Sequence, residues 1–125
     1  MTHTMPSSDR TKRSRKENAA LWLTAGVMVL IAYLTLSPAS SPGINISNAD
    51  KIYHAAAFAA LVLPCASLYR RSLIWVLPAA VLFGGAIELI QPFVGRDGDW
   101  WDFLADILGI GLGLLASLPL RKGLR

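Results

Sequence analysis

The residues able to do chemistry in this sequence are few, and they recur at helical intervals. Asp50 and His54 stand four apart with Lys51 between them, Glu88 and Gln91 stand three apart, and Asp102 and Asp106 follow Asp99 by three and seven positions, with Arg96 just ahead. On helices these spacings put each set on one face. An imidazole among carboxylates is the material of general acid–base work. It is also the material of an N/O-ligand divalent metal site, for which His54, Glu88, Asp102 and Asp106 are the candidates. Lys51 and Arg96 supply an ammonium and a planar fork of the kind that holds phosphate or carboxylate. No HExxH-type signature or nucleophile motif accompanies them. No catalytic residue is assigned on this basis. No cofactor is expected, a divalent metal being the sole candidate and lacking a signature.

The elements that must position these groups are apolar. Of the 125 residues 54% are hydrophobic and 16% charged, and mean hydropathy is +0.46. That composition excludes disorder over most of the chain, and the length excludes a large multidomain enzyme. A single cysteine, Cys65, excludes an intramolecular disulfide framework and any multi-Cys zinc site; it reads as buried and inert. The net charge of +4 alone would suit a nucleic-acid binder. Its placement argues against one. Arg10, Lys12, Arg13, Arg15 and Lys16 precede the first apolar run, Arg70 and Arg71 separate two runs, and Arg121, Lys122 and Arg125 close the chain. Lys51 and Arg96 lie among the acids instead.

Four apolar runs, 19–36, 52–69, 73–94 and 101–120, are each about 27–33 Å long as helix, the thickness of a hydrocarbon core. Lipid forces backbone groups to bond internally, and strand alternation is absent, so the expected fold is all-α: a polytopic four-transmembrane-helix bundle. The basic segments place both termini and the 70–71 turn in the cytoplasm, and the 37–51 loop and 95–100 turn outside. Trp100 and Trp101 then suit the outer interface, Trp22 and Trp75 the inner. Three regions follow: a polar, basic, mobile N-terminal tail over 1–18, a membrane domain over 19–120, and a basic C-terminus over 121–125. The tail resembles the charged part of a signal peptide, but the run behind it is too long for one, so the first helix is expected to remain uncleaved.

In this frame the ionisable groups of three helices and one turn gather near one level, toward the outward end. Such groups inside a membrane normally face the bundle. The Asp102/Asp106 face also carries Ala105, Gly109, Gly113, Ala116 and Ser117, while Phe103, Leu104, Ile107, Leu108, Leu114, Leu115 and Leu118 lie opposite. Ala105, Gly109, Gly113 and Ser117 form a small-residue ladder for close helix packing, and Gly84 and Gly85 lie near Glu88 for the same purpose. Plainer readings stand beside the functional one. Asp50, Asp97 and Asp99 fit as solvated loop charges, with Asp50 also suited to cap the second helix. His54 fits as a donor to helix backbone. Lys51 or Arg96 paired with Glu88, Asp102 or Asp106 would simply lock the bundle.

Taken together, Leu36-Ser37-Pro38, Asp50-Lys51-x-x-His54-x-x-x-Phe58, Glu88-x-x-Gln91, Gly95-Arg96, Asp102 and Gly109-x-x-x-Gly113 resemble the VanZ-like family of small bacterial membrane proteins. The resemblance spans about residues 30–115; at Asp106 the family often has Asn. It implies a protein of the bacterial cytoplasmic (inner) membrane and cell envelope, and a link to antibiotic resistance through a member associated with the glycopeptide teicoplanin. The expected partners are membrane lipids and a lipid-linked envelope precursor or other anionic head group, with no nucleic acid; the sequence sets no oligomeric state. Three readings of function stand. The first is a binding or accessory protein at the outer leaflet. The second is a membrane-embedded enzyme of envelope lipids using the His/carboxylate or metal site. The third is a small proton-coupled transporter, or a purely structural protein, built on Glu88 and Asp106.

Overall fold

The computed structural model describes residues 4, 6–37, 47–95 and 98–123, with backbone alone for 47–50. Four helices account for nearly all of them: α1 (Ser7–Leu36), α2 (Ser47–Leu68), α3 (Leu73–Ile90) and α4 (Trp100–Gly123). Short 3-10 turns, Arg70–Ser72 and Gln91–Val94, follow α2 and α3. Each helix is long and apolar enough to cross a membrane. Trp22, Trp75, Leu82 and Leu89 are among many large apolar side chains on the outer surface. A soluble protein of this size does not expose such a surface; in lipid it is the wetted face.

The helix boundaries differ from the hydropathy reading in instructive ways. Residues 7–18, read from sequence as part of a polar tail, are helical and extend α1 ahead of its apolar run. Arg, Lys and Glu are good helix formers, and Arg13 lies 5.9 Å over the Tyr69 ring, which ties the polar extension to the end of α2. At 30 residues, α1 is about 45 Å long. Likewise α4 runs through Arg121 and Lys122 to Gly123, so the basic C-terminal residues sit at the negative end of the helix dipole. The third run stops short as α-helix: Pro92 ends α3 after Ile90, and Gly95 reverses the chain with φ of 77°. Asp50 is the fourth residue of α2, past the cap position that was expected for it.

α2 is the hub. It packs against each of the other three helices, whereas α1 and α4 do not meet among the described residues. The broadest contact joins α2 to α4, and small residues make it. A Cβ added to Gly109 would overlap the Ala55 carbonyl, and one added to Gly113 would lie 2.7 Å from Ala59 O. The offset between 55 and 109 equals that between 59 and 113, so α2 and α4 run parallel in a fixed register. Of the expected ladder, Gly109, Gly113 and Ser117 are buried and Ala105 is half-buried. Ala116 is exposed, and Leu114, expected opposite, is partly buried against the core. Both depart from the expected faces because the packed stripe is narrower than the small-residue stripe and turned toward Ile110. Phe58, Leu61, Val62, Ile87 and Ile110 fill the centre, with Phe58 and Phe83 rings 6.0 Å apart. Thr24 Oγ1 on α1 donates to Leu61 O at 3.1 Å and lies 3.2 Å from the buried Cys65 sulfur.

Candidate functional site: a buried imidazole and carboxylates at one end of the bundle

The parallel register of α2 and α4 decides what meets at their first turns. With Ala55 seated on Gly109, His54 is carried against Asp106 and Asp102, about one and two turns earlier on α4. His54 Nδ1 lies 2.7 Å from Asp106 Oδ1, and His54 Nε2 lies 3.7 Å from Asp102 Oδ2. A carboxylate can only accept, so an ionised Asp106 places the hydrogen on Nδ1. Glu88 comes from the last turn of α3. Its Oε2 accepts the backbone N–H of Asp99 at 2.8 Å. Gln91 Nε2 donates to Thr35 O at 3.2 Å and fastens the end of α3 to the end of α1. His54, Glu88, Gln91, Asp102 and Asp106 are all buried, the most exposed at 6%.

Lys51 stands at the rim. Its Nζ is 3.5 Å from Asp99 Oδ2 and 3.7 Å from Asp102 Oδ1. Asp99, read from sequence as a solvated loop charge, does more than that. Its Oδ1 accepts from Trp101 N–H at 2.9 Å and so caps α4, while its own N–H holds Glu88. His54 takes Asp106 and Asp102 as neighbours rather than helix backbone. Of the pairs foreseen as bundle locks, Lys51 with Asp102 is present. Arg96 and Asp97 lie outside the described residues, as does the Asp50 side chain. Gly84 approaches closely: a Cβ there would lie 2.9 Å from Asp106 Oδ2, whereas one on Gly85 would meet only Phe103 at 3.6 Å. Gly85 therefore takes no part in the tight contact.

Acceptors outnumber donors. Among the described residues, four carboxylates, from Glu88, Asp99, Asp102 and Asp106, face one ammonium and one imidazole. Glu88 Oε1, Gln91 Oε1 and Asp106 Oδ2 are buried with no hydrogen-bond partner among the described residues. A buried acceptor left without a donor costs about 1–3 kcal/mol, more when charged. One ligand atom each from His54, Glu88 and Asp106 can be chosen so that all lie within 4.8 Å of one another. The set can hold a proton between imidazole and carboxylate or gather around a cation; Asp102, fourth of the expected metal candidates, is drawn toward Lys51 instead.

Beside the cluster, α1 and α2 part to leave a cavity of about 390 Å³, lined by Ile31, Leu34, Thr35, Tyr53, His54, Ala57 and Phe58. Its walls are apolar but for Thr35, Tyr53 and His54. The sequence reading missed it. Its only trace there is a Thr and a Tyr placed in apolar runs at the level of His54. No protein-family profile, no curated protein and no solved structure matches the chain.

Proposed function

We propose that this chain is a multi-pass protein of a bacterial inner membrane, with both termini cytoplasmic, that binds a lipid-linked anionic molecule of the cell envelope in the outer leaflet. One observation carries the reading: an apolar cavity of about 390 Å³ between two membrane helices is lined by the buried imidazole of His54, and Lys51 stands about one turn before it on α2. That volume lies in the range of about 300–1,000 Å³ common to small-molecule sites. An amphiphile fits such a place end to end. Its hydrocarbon chain lies in the cleft, walled by Ile31, Leu34 and Phe58, and its phosphate meets Lys51. The VanZ-like resemblance of residues 30–115 agrees with this setting. A role in glycopeptide resistance is a narrower form of the same proposal.

The test is native mass spectrometry of the full chain extracted in detergent. The wild type is expected to retain a phosphate-bearing lipid, and Ala57→Trp, which fills the cavity, to lose it with helix content unchanged. Equal lipid retention by both proteins would refute the reading. Orientation is checked by labelling cysteines at Ser41 and Arg71 in intact cells, with reaction expected at 41 alone.

A second reading, an enzyme of envelope lipids, is favoured by the 2.7 Å contact between His54 and Asp106, which suits a general base bordering the same cavity. Turnover of a lipid phosphate by purified protein, abolished in Glu88→Gln, would select it. A transporter is disfavoured because the buried charges of the described residues sit at one end of the bundle and form no path through it.

A further inference from the structure

We propose that His54, Glu88 and Asp106 together hold one divalent first-row metal ion. The three side chains come from α2, α3 and α4, and a ligand atom of each lies within 4.8 Å of the others. All three residues are more than nine-tenths buried. Glu88 Oε1 and Asp106 Oδ2 have no donor among the described residues. Glu88 Oε2 is already held by the Asp99 N–H. A hydrogen bond of that sort orients a metal-binding carboxylate and leaves the other oxygen for the ion. An ion bound at His54 Nδ1 would displace the hydrogen that this nitrogen shares with Asp106 Oδ1.

Charge points the same way. Glu88 and Asp106 bring two carboxylates against the single imidazole of His54, and buried charges of this kind are paired or coordinate a metal. A mixed set of one imidazole and two carboxylates suits zinc or manganese better than calcium. Zinc–ligand bonds of about 2.0–2.2 Å need ligands about 3.3–3.6 Å apart, so the three side chains close on the ion by about an ångström. Gly84 leaves room for this: its bare Cα faces Asp106 Oδ2, where a methyl would stand 2.9 Å away. The site shares His54 with the α1–α2 cavity but requires no bound lipid, so failure of the lipid reading leaves it standing.

The full chain is stripped with chelator, reconstituted in nanodiscs of zwitterionic lipid, loaded with zinc or manganese, desalted and measured by elemental mass spectrometry. The wild type is expected to retain about one ion per chain. Glu88→Gln and Asp106→Asn should each weaken binding by about tenfold or more, while Asp102→Asn keeps the ion. Cobalt(II) loaded into the wild type should give an absorption spectrum of nitrogen–oxygen ligation that is lost in His54→Ala, a readout that does not depend on the acidic variants folding. Wild-type protein that retains no metal, or retains it equally with Glu88 and Asp106 both replaced, overturns the proposal.

Discussion

Gly109→Ala places one methyl at the tightest point between α2 and α4, and Gly111→Ala places the same methyl where nothing lies within 4 Å. Both exchanges gain the same intrinsic helix preference, about 1 kcal/mol, so the difference between them isolates packing. At 109 the new Cβ overlaps the Ala55 carbonyl oxygen and sits 2.8 Å from Ala55 C and Cα. These are backbone atoms, which no rotamer change can move aside. Ordinary contact begins at 3.4 Å, so α4 must withdraw by roughly 0.6 Å or more, a strain of about 1–3 kcal/mol for one inserted methyl. The consequence reaches the site, because Asp106 lies one turn away on the same helix. A withdrawal of that size stretches the 2.7 Å contact between His54 and Asp106 to about 3.3 Å, beyond the usual N–H···O range. Reversible unfolding in mixed micelles, followed by circular dichroism and tryptophan fluorescence, should find Gly109→Ala about 1–3 kcal/mol less stable than Gly111→Ala. Variants within about 0.5 kcal/mol of each other, the scatter of neutral surface exchanges, would show that the glycine contact does not set the register.

Two further outcomes follow from the polar end. His54→Leu strands the buried Asp106 and should cost about 3–5 kcal/mol, whereas His54→Leu with Asp106→Leu should recover most of that loss; additive effects in the double-mutant cycle would mean the pair is not coupled. Asp99→Ala removes the side-chain acceptor at the start of α4 and should cost about 1 kcal/mol, while Asp99→Asn, which keeps an acceptor, should unfold close to wild type; equal losses would assign the effect to the ion pair with Lys51.

Much of the architecture is legible because membrane burial leaves a coarse mark. The apolar runs give four helices, and Gly109, Gly113 and Ser117 announce the packed face of α4. The matching face of α2 is not legible. Ala55 and Ala59 are the residues that receive the glycines, but they sit in a stretch so rich in alanine that every face looks small. Helix ends are poorly marked for a related reason: hydropathy records where lipid begins, not where hydrogen bonding stops, so it ends the first element at residue 19 and misses the turns back to Ser7. In the site, His54, Glu88, Gln91, Asp102 and Asp106 are conspicuous as polar residues in apolar runs. Which of them touch is set by the register of α2 on α4, which depends on backbone approach. The service of Asp99 to Glu88 uses a main-chain N–H, which any residue but proline carries, so its side chain gives no hint of it.

Because α1 meets α2 and α3 but, among the described residues, not α4, a guest of the proposed kind would push past a wall that carries neither the acids nor the imidazole. Admission and retention of that guest would then fall to different joints of the protein. α1 is fastened across that seam by Thr24 near its middle and by Gln91 at its end, while the glycine contacts between α2 and α4 behind it fix the register of the charged groups.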